Sequence, residues 1–75
     1  MDNVLEQEVS QREMMKIIGL FRKNEFRGEY ESFEHGKGGQ DEYMVTLTDE
    51  KSGVKGLFKA DLGTGSIEFQ HVVMD

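Results

Sequence analysis

The stretch that most constrains this chain is residues 42–48, where apolar and polar side chains alternate with a period of two. Alternate positions of an extended backbone share one face, and here the more apolar face carries Tyr43, Val45 and Leu47. Glycine-rich residues 36–39 precede the stretch, and a polar turn follows it. The pattern therefore predicts an inner strand of an antiparallel meander with one buried face.

A capping box predicts where the helix begins. Ser10 and Glu13 have the spacing at which each side chain accepts a hydrogen bond from the other residue's amide. Basic residues 22 and 23 suit the negative end of a helix dipole, so we expect the helix to end near Lys23. At helical spacing one face gathers the apolar side chains of Met14, Met15, Ile17, Ile18 and Phe21.

Three further runs have strand character: residues 25–34, 54–60 and 66–73. The predicted fold class is α+β, with one N-terminal helix packed on one face of a four-stranded antiparallel meander, in the order α-β-β-β-β and in two layers. We expect one small domain over residues 1–75, in which residues 1–9 fray, add a short helical turn, or extend the helix against a second subunit. Gly19 is expected to mark a close approach of the helix to the sheet, and Gly28 a bulge or a similar approach.

Composition narrows the partners. The chain has nine basic and fifteen acidic residues and a net charge of −6, which disfavours direct binding of nucleic acid or of an anionic membrane surface. It has no cysteine, so disulfides and thiolate metal sites are excluded. Residues 1–6 resemble no export signal, and no run approaches the roughly 20 apolar residues of a membrane span. The expected location is the cytoplasm.

The residues that could act in catalysis or bind a metal or phosphate do not have the sequence spacing that such sites need. His35 and His71 are the two histidines, and neither has a second ligand at metal-binding spacing. Residues 36–39 are glycine-rich and include Lys37, but they lack a phosphate-loop pattern and lead into a strand. We therefore predict no catalytic residue, no cofactor, no metal and no small-molecule ligand, and hence a protein that is not an enzyme.

Apolar residues at strand positions that should point away from the core suggest a binding surface. Each predicted strand has one apolar side chain on the face expected to point outward, and these residues are Phe33, Met44, Leu57 and Val72. A contiguous apolar patch on a small acidic domain is typical of a protein contact. The leading hypothesis is an adaptor or regulator that binds a protein partner, or a second copy in a homodimer, through this outer face. Chance scatter and a register shifted by a bulge are the competing explanations.

An acidic decoy is the alternative function. In this hypothesis, carboxylates at phosphate-like spacing occupy a nucleic-acid-binding protein. The candidate residues are Glu29, Glu31, Glu34, Asp41, Glu42, Asp49 and Glu50. The two hypotheses differ in salt dependence, because charge mimicry weakens steeply as salt rises and apolar contact does not.

One short segment has a family resemblance. Residues 61–67, Asp-Leu-Gly-Thr-Gly-Ser-Ile, resemble the D-x-x-T-G-x-[IV] ending of PepSY-type modules, which also place strands after a helix. The resemblance covers seven of the 75 residues and implies a strand beginning after this turn.

Overall fold

The computed structural model describes residues 9–74 and has the predicted α+β order. A single sheet is formed by four antiparallel strands in the order in which they occur along the chain, and the helix packs on one of its faces. The elements are α1 (Gln11–Lys23), β1 (Gly28–His35), β2 (Glu42–Asp49), β3 (Lys55–Asp61) and β4 (Ser66–Val72).

The helix begins where the capping box predicts. The Ser10 amide donates to Oε1 of Glu13 at 2.8 Å, and the Glu13 amide donates to Oγ of Ser10 at 3.2 Å. Val9, just before the cap, is 5% exposed and belongs to the core. The predictions for residues 1–8 lie outside the described residues.

The helix ends in a Schellman motif. Asn24 is the C-cap; the Phe26 amide donates to the Phe21 carbonyl and the Glu25 amide to the Arg22 carbonyl, each at 2.9 Å. The motif needs a left-handed residue at the position occupied by Glu25, whose φ is +67°. The rings of Phe21 and Phe26 meet at 5.5 Å, which supplies the apolar contact that accompanies this motif.

Replacing Glu25 with glycine should stabilise the fold. A left-handed conformation costs a residue with a Cβ roughly 1–2 kcal/mol, and glycine avoids that cost while losing more backbone entropy. We expect a net gain of about 0.5–1 kcal/mol in the free energy of unfolding, measured by urea denaturation. Glu25→Ala is the matched control, because it removes the carboxylate but keeps the Cβ. An equal gain in both variants would assign the effect to charge.

The last two hairpin turns are built alike. Each runs Asp-x-x-Ser/Thr-Gly, from Asp49 to Gly53 and from Asp61 to Gly65, and each ends on a glycine with φ near +75° or +73°. In each turn a carboxylate oxygen of the aspartate accepts two backbone amides, and the glycine amide donates to the aspartate carbonyl at 2.8 Å. These bonds set the register on both sides of β3.

The core lies between α1 and β2. Its buried residues are Val9, Ile17, Phe21, Tyr43, Val45, Leu47 and Ala60. The apolar side of β2 therefore faces the helix, as predicted. Met15 is the exception among the predicted helix positions, because it is 66% exposed. We call the side of the sheet covered by α1 the helix side and the opposite side the outer face.

A bulge in each edge strand changes which side chains face outward. Glu31 is an extra residue in β1, and Gln70 is an extra residue in β4. Beyond each bulge the alternation reverses, so Phe33 pairs with Val45 on the helix side and Val72 pairs with Gly56, also on the helix side. The prediction that Phe33 and Val72 lie on the outer face is therefore wrong.

The two glycines expected at close approaches behave differently. Nothing lies within 4 Å of the position a Cβ would take on Gly19, so the helix makes no close approach there. A Cβ on Gly28 would lie 2.0 Å from the Thr48 carbonyl oxygen. Gly28 thus does mark a close approach, but to the backbone of β2 and not to the helix.

Candidate functional site

The outer face keeps two of its four predicted apolar residues. Met44 pairs with Lys59 and Leu57 pairs with Thr46, and both apolar side chains are half-buried. Two ion pairs lie on this face: Lys55 of β3 reaches over β2 to Glu31 of β1 at 2.8 Å, and Lys59 pairs with Glu68 of the adjacent β4 at 3.5 Å. The outer face is consequently a mainly polar surface with its lysines paired, as cross-strand charge pairing predicts.

Exposed apolar side chains gather instead at the open end of β4. Val54 precedes the first residue of β3, which lies opposite the end of β4, and the Val73 amide donates to the Lys55 carbonyl at 2.8 Å. The β4 corner, as we call this group, consists of Val54 (45% exposed), Phe69 (53%), Val72 (46%) and Met74 (84%).

Phe69 joins the β4 corner to the core. It pairs with Phe58 across the sheet, and their rings meet edge to face at 5.4 Å. The Phe58 ring in turn contacts Phe21 at 5.7 Å and Phe26 at 5.2 Å. A Cβ on Gly56 would lie 2.9 Å from the Phe69 ring, so the glycine makes room for that ring on the helix side. The corner is thus an exposed continuation of the aromatic core.

The β4 corner is exposed because helix α1 does not extend over it. Within residues 9–74, one helix of 13 residues packs on this sheet, and its two buried side chains, Ile17 and Phe21, are directed at the centre of the sheet. On β4, Ile67 packs against the core, whereas Phe69 and Val72 are more than 40% exposed. Among residues 9–74 no other element covers that end of the helix side. The helix side is apolar across the sheet, but its cover is incomplete at β4.

A second arrangement ties the helix to β2. The Tyr43 hydroxyl donates to Oε2 of Glu13, whose other oxygen accepts the Ser10 amide of the capping box. The hydrogen bond from Tyr43 is the main reason that the pKa of Glu13 falls from 4.5 to about 2. The same bond raises the pKa of Tyr43 from 10.0 to about 12. The His35 ring packs on Tyr43 at 5.2 Å.

This tether predicts an acid-dependent contribution to stability. The folded pKa of Glu13 is depressed, so its contribution is present above the ordinary value of 4.5 and is lost as the pH falls toward about 2. Tyr43→Phe removes the largest cause of that shift. We expect the variant to be less stable at neutral pH and to lose less stability over the acid range, measured by urea denaturation at a series of pH values.

Tyr30→Phe is the matched control for this prediction. Among the described residues, the Tyr30 hydroxyl is buried without a hydrogen-bond partner, so its removal leaves no acceptor unsatisfied. We expect Tyr30→Phe to keep the wild-type acid dependence and to leave stability unchanged or slightly raised. If Tyr43→Phe and Tyr30→Phe lose the same stability as the pH falls, the hydrogen bond from Tyr43 is not the cause of the depressed pKa of Glu13.

The candidate acid–base residues do not assemble into a reactive site within residues 9–74. His35 ends β1 beside Tyr43, and His71 lies on the outer face opposite Leu57, with Nδ1 3.0 Å from the Val72 carbonyl oxygen. Tyr43 was identified from sequence only as a core position, and its role toward Glu13 was missed. In the described part of the chain, no three His, Asp or Glu side chains are placed to hold a metal ion.

The carboxylates of the decoy hypothesis are partly engaged elsewhere. Glu31 is paired with Lys55, and Asp49 holds the amides of the second hairpin turn. The side chain of Glu42 lies against the glycine-rich loop, because a Cβ on Gly38 would fall 1.8 Å from its Oε1. Three of the seven candidate residues thus have structural contacts of their own.

Comparison with known protein families, curated proteins and solved structures found no match for this chain. The likeness of residues 61–67 to PepSY-type modules therefore remains a resemblance of one turn. Within residues 9–74, no helix combines the length and the apolar character needed to cross a membrane.

Proposed function

We propose that this chain is a non-enzymatic protein-binding module that receives an extended segment of a partner protein along β4. One observation carries the proposal: of the five large hydrophobic side chains that are exposed among residues 9–74, four form the β4 corner. Exposed apolar groups that lie together mark interaction surfaces far more often than scattered ones do.

The backbone of β4 supports an extended segment as the partner. Within the described residues β4 is paired on one side only, with β3, so its other side presents a row of backbone donors and acceptors. An extended segment satisfies such a row by adding a strand to the sheet. The β4 corner would then bind those partner side chains that alternate toward the helix side.

Charge favours an apolar partner segment of low charge. None of the four side chains of the β4 corner is charged, although the chain as a whole carries −6. β1 is the contrasting edge, because its outer side carries Glu29, Glu31 and Glu34. Charged side chains on an edge strand oppose strand addition, so β4 is the edge open to it.

Selection of peptides tests this function without a known partner. Random peptides of about ten residues, enough for a strand, are displayed and selected against the full chain. Their contact site is then mapped by amide chemical shifts. We expect the selected peptides to be extended and apolar at alternate positions, and to shift the amides of β4. Their affinity should change little between low and moderate salt.

Two lysine variants separate the β4 corner from the outer face. Val72→Lys should weaken peptide binding about tenfold or more, since burying a valine contributes roughly 1.5–3 kcal/mol. Leu57→Lys, on the outer face, should leave binding unchanged. Loss of binding in Leu57→Lys alone would return the site to the outer face, and failure to select any peptide would contradict the proposed function.

A further inference from the structure

We infer that the strand received by β4 is β4 of a second copy of this chain, which forms a two-fold symmetric homodimer with one continuous sheet. The inference rests on the proposed function of the β4 edge. It goes further by naming the partner and the register in which the two strands meet.

The bulge at Gln70 makes β4 complementary to itself. Before the bulge, Ile67 faces the helix side and Glu68 the outer face; after it, His71 faces outward and Val72 faces the helix side. Consider two antiparallel copies related by an axis between residues 69 and 70. Ile67 then lies opposite Val72 of the second copy, and Glu68 opposite its His71, each pair on one side of the sheet.

An unbulged strand would not give this match. When a regular strand pairs antiparallel with a second copy of itself, a residue and the residue opposite it lie on the same face of the sheet only if their sequence numbers differ by an even number. Residues 67 and 72, like 68 and 71, are separated by an odd number. The extra residue in β4 reverses the alternation between these positions, so that residues 67 and 72 share one face and residues 68 and 71 share the other. The register that pairs Ile67 with Val72 therefore also pairs the Glu68 carboxylate with the His71 imidazole.

The same register buries the most exposed ring. Phe69 is adjacent to the proposed axis, so the Phe69 rings of the two copies lie side by side on the helix side, each 53% exposed in the single chain. Neighbouring aromatic rings contribute beyond the area they bury. An isologous contact of this kind uses one surface twice and closes at the dimer.

Charge selects β4 over β1 for such a contact. Each copy carries −6, so copies repel wherever their acidic surfaces meet. β4 has one acidic residue, Glu68, and the proposed register sets it opposite a histidine. Two copies joined through β1 would instead bring Glu29, Glu31 and Glu34 of both chains to one seam, where like charges destabilise pairing.

Sedimentation of the full chain tests the dimer. Over roughly 10 µM to 1 mM we expect the wild type to reach twice the chain mass of 8.6 kDa by mass action. Val72→Lys should remain at the mass of a single chain, and Leu57→Lys should associate like the wild type. Circular dichroism confirms that each variant is folded. A wild type that stays a single chain throughout, or a dimer that Val72→Lys leaves intact, would overturn the inference.

A charge exchange tests the register itself. His71→Glu sets two carboxylates opposite each other at two symmetric positions, which should weaken the dimer about tenfold. Adding Glu68→Lys in the same chain should recover most of the lost affinity. Glu68→Lys alone is the control, because it also removes the ion pair of Glu68 with Lys59 but leaves a histidine opposite the new lysine. A double variant as weak as His71→Glu alone would contradict the proposed pairing.

The outcomes distinguish this inference from the proposed function. If the wild type stays a single chain but selected peptides still bind β4 and are lost in Val72→Lys, the homodimer is wrong and the strand-binding function stands. If neither self-association nor peptide binding involves β4, both fail.

Discussion

Phe21→Ala should lower the free energy of unfolding by about 3–5 kcal/mol, the usual loss when a buried aromatic side chain is truncated. Phe21 is fully buried, and its ring meets three others edge to face: Phe26 at 5.5 Å, Phe58 at 5.7 Å and Tyr30 at 5.9 Å. Alanine would remove the ring that joins the helix to β1 and β3. Urea denaturation followed by circular dichroism measures the loss.

Met15→Ala is the control for this prediction. Met15 lies on the same helix but is 66% exposed, so its truncation should change stability by less than about 0.5 kcal/mol. Small domains have roughly 0.05–0.15 kcal/mol of stability per residue, so Phe21→Ala is expected to populate unfolded chains even without urea. Phe21→Leu, which leaves a smaller cavity, should show an intermediate loss. Equal effects at positions 15 and 21 would contradict the described core.

Gly28→Ala should destabilise the fold by about 1–3 kcal/mol or more through overpacking. The added Cβ would lie 2.0 Å from the Thr48 carbonyl oxygen and 2.9 Å from its carbonyl carbon, and both atoms belong to the backbone of the neighbouring strand. Neither strand can relieve this contact without breaking the pairing of Gly28 with Asp49. Denaturant midpoints and the amide spectrum of β1 would report the change.

The same substitution at Gly19 should have the opposite sign. Gly19 is exposed in the middle of α1 and has open space around it, so Gly19→Ala should stabilise the helix by about 1 kcal/mol. Destabilisation by both substitutions would mean that helix α1 packs against another surface at Gly19. A neutral Gly28→Ala would mean that β1 is not held against β2 at this point.

Local chemistry is what the sequence predicts well here. The capping box of Ser10 and Glu13, the alternation of β2, and the polar turn that follows β2 each depend on residues within a few positions of one another. Each was placed correctly within one or two residues. The strand order follows from these signals because strands joined by short turns pair with each other as antiparallel hairpins.

A register shifted by a bulge is one of the explanations that the sequence leaves open, and the structure has such a bulge in each edge strand. The sequence also contains a signal for where the two bulges lie. In β1 the apolar residues Tyr30 and Phe33 are three positions apart, as are Phe69 and Val72 in β4. A spacing of three cannot keep both side chains on one face of a regular strand. An extra residue in between restores the match, and this rule would have moved Phe33 and Val72 to the helix side.

Other features depend on contacts that no local pattern contains. Tyr43 and Glu13 are thirty positions apart, and only the packing of α1 on β2 brings the hydroxyl to the carboxylate. Glu25 adopts a left-handed conformation that favours glycine, because the chain must turn there to place Phe26 against Phe21. The β4 corner likewise depends on tertiary packing, because it is exposed where helix α1 does not extend over β4.

Hydrogen exchange of the β4 amides, measured by NMR at increasing protein concentration, tests most directly whether this edge pairs with another strand. We predict that in the wild type all amides of residues 67–72 become protected as concentration rises, as in an inner strand. In Val72→Lys, only the amides bonded to β3 should be protected at any concentration. If the amides that point away from β3 exchange equally fast in both proteins at every concentration, β4 does not pair with a second copy and the homodimer is contradicted.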